Sequence, residues 1–503
     1  MSAPDPSNSY WLARFWLLRL LGLVYLMAFG VFLFQGLPLV GHHGLMPADD
    51  FVHRLTVQEG GAWNAFWALP SAFMFGISDG AMMAVAAAGA VIALVAVLGF
   101  SNSLSWFVLW ALYLSLDHVG QTFWGFGWEN QLLETGFLAV FFCPLLDPRP
   151  FPVRAPPLPV VWLFRWLTFR VMLGAGLIKL RGDPCWHELT CLDFHFETQP
   201  IPNPLTPLFH FLPHWAHAVG VGFNHVVEVG APFLLFLPKY VRRTGGALVI
   251  AFQLTLIASG NLSFHNWLTL IPAIACFDDE LLAKLSLPRM RLRVQKALLE
   301  AEPSRGHLVS SWALAAVVGV LSIQPVLNLL SPHQAMNTSF DPFELVNTYG
   351  AFGSVGRVRN ELVFEGTRDE DAEHATWAPY EFKCKPGDPA HRPCWMSPYH
   401  YRLDWQVWFA AMGSPDDEPW TLHLIWKLLH NDEGTLSLLA GNPFPGAPPR
   451  FIRVRLFRYH LQPYSAKTWW TREELGEWLP PLSADDERLK TLLEQFGWLP
   501  GPS

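Results

Sequence analysis

The stretch VSSWALAAVVGVLSIQPVLNLL, residues 309–330, divides this 503-residue chain into two parts of different character. It has no charged residue, and it is long enough to cross a bilayer as an α-helix, which takes about 20 residues. Apolar segments of similar length recur before it, whereas the sequence after it carries more charged residues. We therefore predict that residues 309–330 form the last membrane span and that a soluble domain follows.

The composition of the whole chain is typical of a polytopic membrane protein. Its residues are 51% hydrophobic and only 15% charged, whereas soluble domains carry about 25% charged residues. We predict a polytopic α-helical membrane protein with about nine transmembrane helices and a C-terminal β-rich extracytoplasmic domain. The predicted spans cover residues 15–37, 79–99, 104–118, 129–146, 158–180, 214–237, 245–260, 262–277 and 309–330.

Loop charges predict the orientation of these spans. Lysine and arginine accumulate in cytoplasmic loops, and here they accumulate in residues 147–154, 239–243 and 278–308. With nine spans these loops fall on one side together with the N-terminus, and everything after residue 330 lies on the opposite side. The net charge of −8 and the absence of a long basic run predict no nucleic-acid partner.

Four of the six cysteines form two close pairs on the predicted extracytoplasmic side. The pairs are Cys185 with Cys191 and Cys384 with Cys394. Disulfides persist in extracytoplasmic compartments, so we predict one disulfide within each pair. Two N-x-S sequences on the same side, at Asn261 and Asn337, are candidate glycosylation sites.

The sequence after residue 335 predicts a domain rich in β-strands. Residues 361–367 and 450–461 alternate apolar and polar side chains with the period of a half-buried strand. Residues 419–432 space their apolar side chains as a short helix, and an amphipathic helix ends the chain. The predicted domains are a transmembrane domain over residues 1–335, a β-rich domain over residues 336–465 and a C-terminal amphipathic helical tail over residues 466–503.

The aromatic stretch CWMSPYHYRLDWQVWFAAMG, residues 394–413, predicts a further strand. Its alternation places Trp405 on a core face, and it places Arg402 and Asp404 on a polar face, where they would pair. Trp408 shares that polar face. We therefore predict an exposed tryptophan that contacts either a protein partner or the membrane interface.

Ionisable residues inside the predicted spans form a second candidate site. His225 and Glu228 are three residues apart and would share one helix face, and His265 lies near the end of another span. One hypothesis is a metal, proton or substrate site built from these three residues. It requires their side chains to meet inside the helix bundle.

The alternative hypothesis, which we favour, is structural. Charges within a bilayer cost a few kcal/mol or more and are usually paired inside the bundle. Arg165 or Arg170 would then pair with Glu228 or Glu134 and fix the helix packing. The Asp-His pair at 117–118 lies near a predicted membrane boundary, where we expect it to be solvated.

Several blocks of sequence in both parts of the chain are specific enough to compare with known families. In the soluble part they are NTYGAFGSVGRVRNELVFEGT (347–367), SPYHYRLDWQVWFAAMG (397–413) and PWTLHLIWKLL (419–429). In the membrane part they include WENQLLETGFLAVFF (128–142) and FRWLTFRVMLGAGLIKLRGDPCW (164–186). In these blocks the chain resembles the lipase maturation factor family, and its compact loops favour a short bacterial homologue.

This resemblance implies a chaperone-like factor rather than an enzyme. Family members are multi-pass proteins of the endoplasmic reticulum membrane that help secreted homodimeric lipases fold and assemble, and their C-terminal region faces the lumen and the client. The candidate client-binding residues in the matching region are Asn347, Tyr349, Arg402, Asp404, Trp405 and Trp408. A bacterial homologue would sit in the inner membrane with this domain in the periplasm. We predict no cofactor and no metal site.

A fainter resemblance to the membrane half of vitamin K-dependent carboxylase-like proteins gives an alternative function. The protein would then be a membrane enzyme acting on a lipid-soluble substrate, with His225, Glu228 and His265 as its site and Lys179 as the nearest base. No nucleophile elbow, Walker loop, dinucleotide motif or HExxH sequence is present to support an enzyme. We favour the folding factor.

Overall fold

The computed structural model describes residues 9–499, and the predictions made for residues 1–8 and 500–503 lie outside the described residues. Up to residue 330 the described chain is helical. Its helices are α1 (Trp11–Val40), α2 (Ala48–Gln58), α3 (Ala62–Ala68), α4 (Asp79–Leu98), α5 (Ser103–Val119), α6 (Gly127–Phe142), α7 (Leu158–Arg181), α8 (Leu192–Thr198), α9 (Thr206–His210), α10 (His214–His225), α11 (Ala231–Leu234), α12 (Lys239–Ser259), α13 (His265–Ala273), α14 (Asp279–Leu285), α15 (Pro288–Leu299), α16 (Arg305–Leu321) and α17 (Ile323–Leu330). A π-helical turn, Val226–Gly230, joins α10 to α11.

Five of these helical segments, rather than the nine predicted, are long and apolar enough to cross a membrane in the part of the chain that the structure describes. They are Trp11–Val40, Asp79–Leu98, Leu158–Arg181, Lys239–Ser259 and Arg305–Leu330. The other predicted spans are also helical but short or interrupted. α5 has 17 residues, α6 has 16 and α13 has 9, and the predicted span 214–237 is interrupted by the π-helical turn.

The long helices pack closely because small residues stand where they meet. α4 is rich in alanine; Ser78 caps its N-terminus by accepting the Ala81 N–H, and Gly99 follows its last residue with a φ of 100°. It packs along α1. A Cβ at Gly89 would come within 2.3 Å of the Phe29 ring on α1, so a larger residue there would push these two helices apart.

A small antiparallel sheet and several helices make up the C-terminal part. The strands are β1 (Arg359–Thr367), β2 (Ala378–Pro379), β3 (Phe451–Leu461) and β4 (Trp470–Ser483), in the spatial order β2-β1-β3-β4. The helices are α18 (Arg402–Ala410), α19 (Trp420–Leu429), α20 (Glu433–Ser437) and α21 (Glu487–Gln495). Leu362 and Phe364 of β1 are buried and pair with Leu456 and Val454 of β3, which joins the sheet to the core.

Several predicted elements are confirmed here and others are not. The strands predicted at 361–367 and 450–461 are β1 and β3, and the helix predicted at 419–432 is α19. The strand predicted around Arg402 is wrong, because these residues form α18. The amphipathic helix predicted at the end of the chain is α21, which Asp486 caps. Within the predicted helical tail 466–503 it is preceded by the strand β4, which the sequence analysis did not predict.

Candidate functional site

The helix α18 joins the C-terminal part to the membrane helices through Arg402. This side chain is fully buried, and its Nη2 donates to Glu129 Oε1 of α6 at 2.8 Å. Its Nη1 donates to the Phe123 carbonyl at 2.6 Å, and its guanidinium lies 3.9 Å over the Trp124 ring. The Tyr113 hydroxyl donates to the other carboxylate oxygen of Glu129. Arg402 therefore pairs across the junction with Glu129, not with Asp404 as predicted.

The linker before β1 forms a second buried contact of the same kind. Arg170 of α7 pairs with Glu134 of α6, which is one of the pairings that the structural hypothesis predicted. Glu134 Oε2 also accepts the Asn347 backbone N–H at 3.1 Å and the Tyr349 hydroxyl at 2.8 Å. Arg170 Nη1 donates to the Asn347 carbonyl at 2.6 Å. Asn347 and Tyr349 thus hold the linker against the membrane helices.

Asp404 lies on a different side of α18 from Arg402 and serves a different contact. One of its oxygens, Oδ2, accepts the backbone N–H groups of Cys384 and Lys385 at 2.6 and 2.9 Å. Burial raises the pKa of the Asp404 carboxyl to about 6, although these two N–H groups oppose the shift. Asp404 therefore fixes the loop from Cys384 to Cys394 onto α18.

The aromatic residues of α18 divide into buried and accessible ones. Trp405 is 5% exposed, and its ring packs edge-on against Trp128 of α6 at 4.8 Å between centroids. Trp408 is half-buried, while Phe409 is 37% exposed and Met412 is 59% exposed. Of the six candidate client-binding residues, the other five are buried, so Trp408 is the one whose side chain a partner can reach.

Both predicted disulfides are formed. Cys185 pairs with Cys191 and Cys384 pairs with Cys394. The second pair lies beside Asn261, whose side chain is buried, donates to the Cys394 carbonyl at 2.9 Å and accepts the Met396 N–H at 3.0 Å. The prediction of Asn261 as an outward glycosylation site is therefore wrong, whereas Asn337 is exposed.

A cavity of about 60 Å³ lies beside Lys179 of α7. Lys179 Nζ donates to Glu228 at 2.5 and 2.7 Å and to Asn224 Oδ1 at 3.2 Å. His265 also lines this cavity, and its Nδ1 has no hydrogen-bond partner. A cavity of this size holds a few water molecules.

His225 does not join this group, and the reason is local geometry. Its Nε2 lies 3.0 Å from the Trp186 carbonyl, and it does not line the cavity beside Lys179. Between His225 and Glu228 the chain passes into the π-helical turn, which has more residues per turn than an α-helix and so turns the two side chains apart. The structure thus brings together Lys179, Glu228 and His265 but not the predicted His225 and Glu228.

Family models match both parts of this chain. The model of the lipase maturation factor transmembrane domain matches residues 12–284, and the model of the lipase maturation factor C-terminal domain matches residues 345–480. The chain belongs to the lipase maturation factor family.

The likeness to members of this family extends over nearly whole chains. Lipase maturation factor 1 of Bos taurus is 45% identical over 96% of this chain and 91% of its own length. Lipase maturation factor 1 of Homo sapiens is 44% identical over 99% of this chain and 92% of its own length. Lipase maturation factor 2 of Rattus norvegicus is 30% identical over 94% of this chain and 83% of its own length. No solved structure matches this chain.

The buried junction described above is the contact between the two matched lipase maturation factor domains. Glu129 and Glu134 lie in the transmembrane domain, and Asn347 and Arg402 lie in the C-terminal domain. Sequence reasoning missed Gln35, whose Oε1 accepts the Arg402 backbone N–H at 2.9 Å. A buried glutamine within an apolar span is a signal for such a contact, because an unpaired amide in a bilayer is costly.

Proposed function

We propose that this protein is a membrane-embedded maturation factor that assists secreted lipases in folding and assembling into active enzymes. The observation that carries the proposal is the match of both lipase maturation factor domains, in order, together with 45% identity to a lipase maturation factor 1 over nearly the whole chain. The bilayer and the client lipase are its proposed partners. The lipase clients are inferred from the names of these relatives.

The proposed client surface is the accessible edge of α18, formed by Trp408, Phe409 and Met412. Aromatic side chains that are partly buried and partly exposed supply a rigid apolar anchor at protein interfaces. Phe409 and Met412 expose apolar side chains beside Trp408, and the two aromatic rings lie 4.8 Å apart between centroids. In this proposal the buried residues Arg402 and Asp404 hold α18 in place and do not touch the client.

We propose that the C-terminal domain faces the lumen of the endoplasmic reticulum. Disulfides persist in that compartment, and both disulfides of this chain, Cys185–Cys191 and Cys384–Cys394, lie on the proposed lumenal side. A bacterial host, which the compact loops favour, would place the same domain in the periplasm. In both settings the domain meets secreted proteins.

The shorter helices are also proposed to cross the membrane, which would give nine crossings. The segment 261–279 is the most informative of them. At one end Asn261 contacts Cys394 of the C-terminal domain, and at the other end Asp279 accepts the Trp11 and Leu12 backbone N–H groups at the start of α1. Because α1 is itself long enough to span, a segment that runs from the C-terminal domain to the start of α1 supports a further crossing.

The experiment that tests the proposed function measures lipase activity per mass of secreted enzyme. Cells that lack their own lipase maturation factor would produce a secreted homodimeric lipase together with the wild-type protein, Trp408→Ala, Phe409→Ala or an empty vector. We expect the wild type to raise the specific activity and the two variants to raise it several-fold less at equal protein level. Equal activity with the empty vector and the wild type would refute the proposal.

A matched control separates the client surface from general surface changes. Leu475 of β4 is 39% exposed, close to the exposure of Phe409, so Leu475→Ala removes a similar apolar side chain elsewhere on the same domain. We expect it to behave as the wild type. If Trp408→Ala instead preserves lipase activity but weakens binding of the purified protein to liposomes, α18 contacts the membrane and not the client.

A further inference from the structure

Three potential metal ligands meet where the linker to the C-terminal domain crosses the end of α5. A carboxylate oxygen of Asp117, a ring nitrogen of His118 and a carboxylate oxygen of Glu344 all lie within 4.8 Å of one another. The His118 side chain is 4% exposed and that of Glu344 14% exposed. The expectation that the Asp-His pair at 117–118 is solvated is therefore wrong for His118.

The histidine is oriented as a metal ligand. Its Nδ1 lies 2.9 Å from the Pro70 carbonyl oxygen, and because a carbonyl only accepts, Nδ1 carries the hydrogen. Nε2 then faces Glu344 Oε1 at 3.4 Å. Metal-binding histidines commonly donate their other ring N–H to a backbone carbonyl in this way, which fixes the ring and leaves the second nitrogen free to bind.

The two carboxylates are held in place, and neither is paired with a lysine or an arginine among the described residues. Glu344 Oε2 accepts the Asn130 side-chain N–H at 2.8 Å, which leaves Oε1 directed at the histidine. Asp117 Oδ1 is buried and has no hydrogen-bond partner. In the described part of the chain no lysine or arginine pairs with Asp117 or Glu344, and the nearby Arg402 is bound to Glu129.

A buried carboxylate oxygen without a hydrogen-bond partner, a second carboxylate oxygen and an oriented ring nitrogen converge here, and together they offer three ligand atoms to a cation. We propose that Asp117, His118 and Glu344 bind a divalent transition-metal ion, Zn²⁺ or Mn²⁺. One imidazole and two carboxylates suit these ions, whereas Ca²⁺ prefers oxygen ligands alone. Ligand atoms of Zn²⁺ stand about 2.0 to 2.2 Å from the metal, so small rotations of these side chains complete the site.

The ion would tie the linker to the membrane domain. Glu344 stands three residues before Asn347, which contacts Glu134, and Phe343 packs against Trp67 and Trp110. A metal bond from Glu344 to α5 fixes the linker at the point where it enters the junction with the C-terminal domain. This inference does not depend on the proposed function, because metal binding is measured without a lipase.

The test measures metal content and metal-dependent stability of the full-length protein in detergent, purified with a tag that contains no histidine. We expect the wild type, after incubation with Zn²⁺ or Mn²⁺ and removal of free ions, to retain about one ion per chain by mass spectrometry of metals. A chelator should lower its melting temperature by several degrees, and the metal, but not Ca²⁺, should restore it.

The variants Asp117→Asn and Glu344→Gln keep the size of each side chain and remove one negative charge. Both should lose most of the bound metal and the response to chelator. The control Asp371→Asn/His374→Ala alters an exposed cluster of similar composition, whose histidine is 82% and aspartate 62% exposed, and should behave as the wild type. If these variants do not fold, the proposal is tested by the metal content of the wild type and by the change in its melting temperature with chelator. The proposal is overturned if the wild type retains no metal or if its melting temperature does not change when the chelator is added.

Discussion

The Arg402–Glu129 pair and the Lys179–Glu228 pair are both buried, yet they differ in what surrounds them. Arg402 and Glu129 are fully buried: the Phe123 carbonyl and the Trp124 ring contact the guanidinium, and the Tyr113 hydroxyl donates to the carboxylate. The Lys179 pair instead borders a cavity of about 60 Å³. The first pair joins two domains, whereas the second joins α7 to the segment around Glu228 within one domain.

This difference in surroundings predicts how much each pair contributes to the stability of the protein. A charge that loses its partner in a closed site cannot be solvated, so the cost of removing that partner is large. A charge beside a cavity large enough for water can recover part of its solvation if water enters. We therefore expect the junction pair to determine whether the two domains stay docked, and we expect the cavity pair to affect stability less.

The largest loss of stability is expected from Arg402→Met. This variant leaves Glu129 buried without its cation, and we expect it to lose about 3 to 5 kcal/mol of stability, the usual cost of breaking a buried pair. The measurement is thermal unfolding of the purified protein in detergent, together with its level in the membrane. Under this expectation the variant melts far below the wild type or fails to accumulate.

Two further variants test whether the lost stability comes from the unpaired buried charge at the junction. Arg402→Met/Glu129→Gln removes the unpaired charge but keeps an acceptor for Tyr113, so it should recover more than half of the lost stability. Arg453→Met breaks a partly exposed pair with Glu365 in the sheet and should cost about 1 kcal/mol or less. If Arg402→Met costs no more than Arg453→Met, the junction pair does not hold the domains together.

A smaller loss of stability is expected from Lys179→Met. Glu228 keeps the Asn224 side-chain N–H, donated at 2.9 Å, and the adjoining cavity of about 60 Å³ has room for water that would solvate the carboxylate. We expect a loss of about 1 to 3 kcal/mol, the cost of a buried acceptor that lacks one donor. Lipase activity per molecule of maturation factor should stay as in the wild type. Loss of lipase maturation at a normal protein level would instead make the cavity a functional site.

The sequence predicted the elements whose patterns are long and regular. Both predicted strands form as β1 and β3, with nine and eleven residues. β3 follows its alternation over most of its length, whereas in β1 Glu361 and Val363 of the predicted polar face are buried as well. The Arg170–Glu134 pair was among the predicted pairings. α18 was missed because it is short and buried on nearly all sides, so its apolar residues do not mark one face. In a helix, residues two apart point to nearly opposite sides, which is why Arg402 and Asp404 reach different partners.

The cavity group was missed for a different reason. A spacing of three residues places two side chains on one face only while the helix is regular, and the π-helical turn after His225 breaks that regularity. The true partner, Lys179, lies 49 residues before Glu228, and no local pattern connects the two. Only packing of α7 against that turn brings them together.

The smallest change in stability is expected at Asp404, which lies beside Arg402 at the junction. Its contribution to stability changes with pH. Its pKa is raised to about 6 by burial, above the value of about 3.9 for a free aspartate. The folded state therefore binds a proton more readily than the unfolded state. The stability that this proton contributes is fully present below about pH 4 and is lost as the pH rises through about 6.

Asp404→Asn removes this titration while keeping an oxygen that accepts the Cys384 and Lys385 N–H groups. Between pH 7.5 and pH 5 the wild type should gain about 1 kcal/mol relative to the variant, measured as the change in the difference between their melting temperatures. The control Asp417→Asn alters an exposed aspartate whose pKa is lowered by hydrogen bonds from Ser414, so its difference from the wild type should not change over this range. A constant difference for Asp404→Asn as well would mean that water reaches the Asp404 carboxylate and that the junction around α18 is less closed than the cavity beside Lys179.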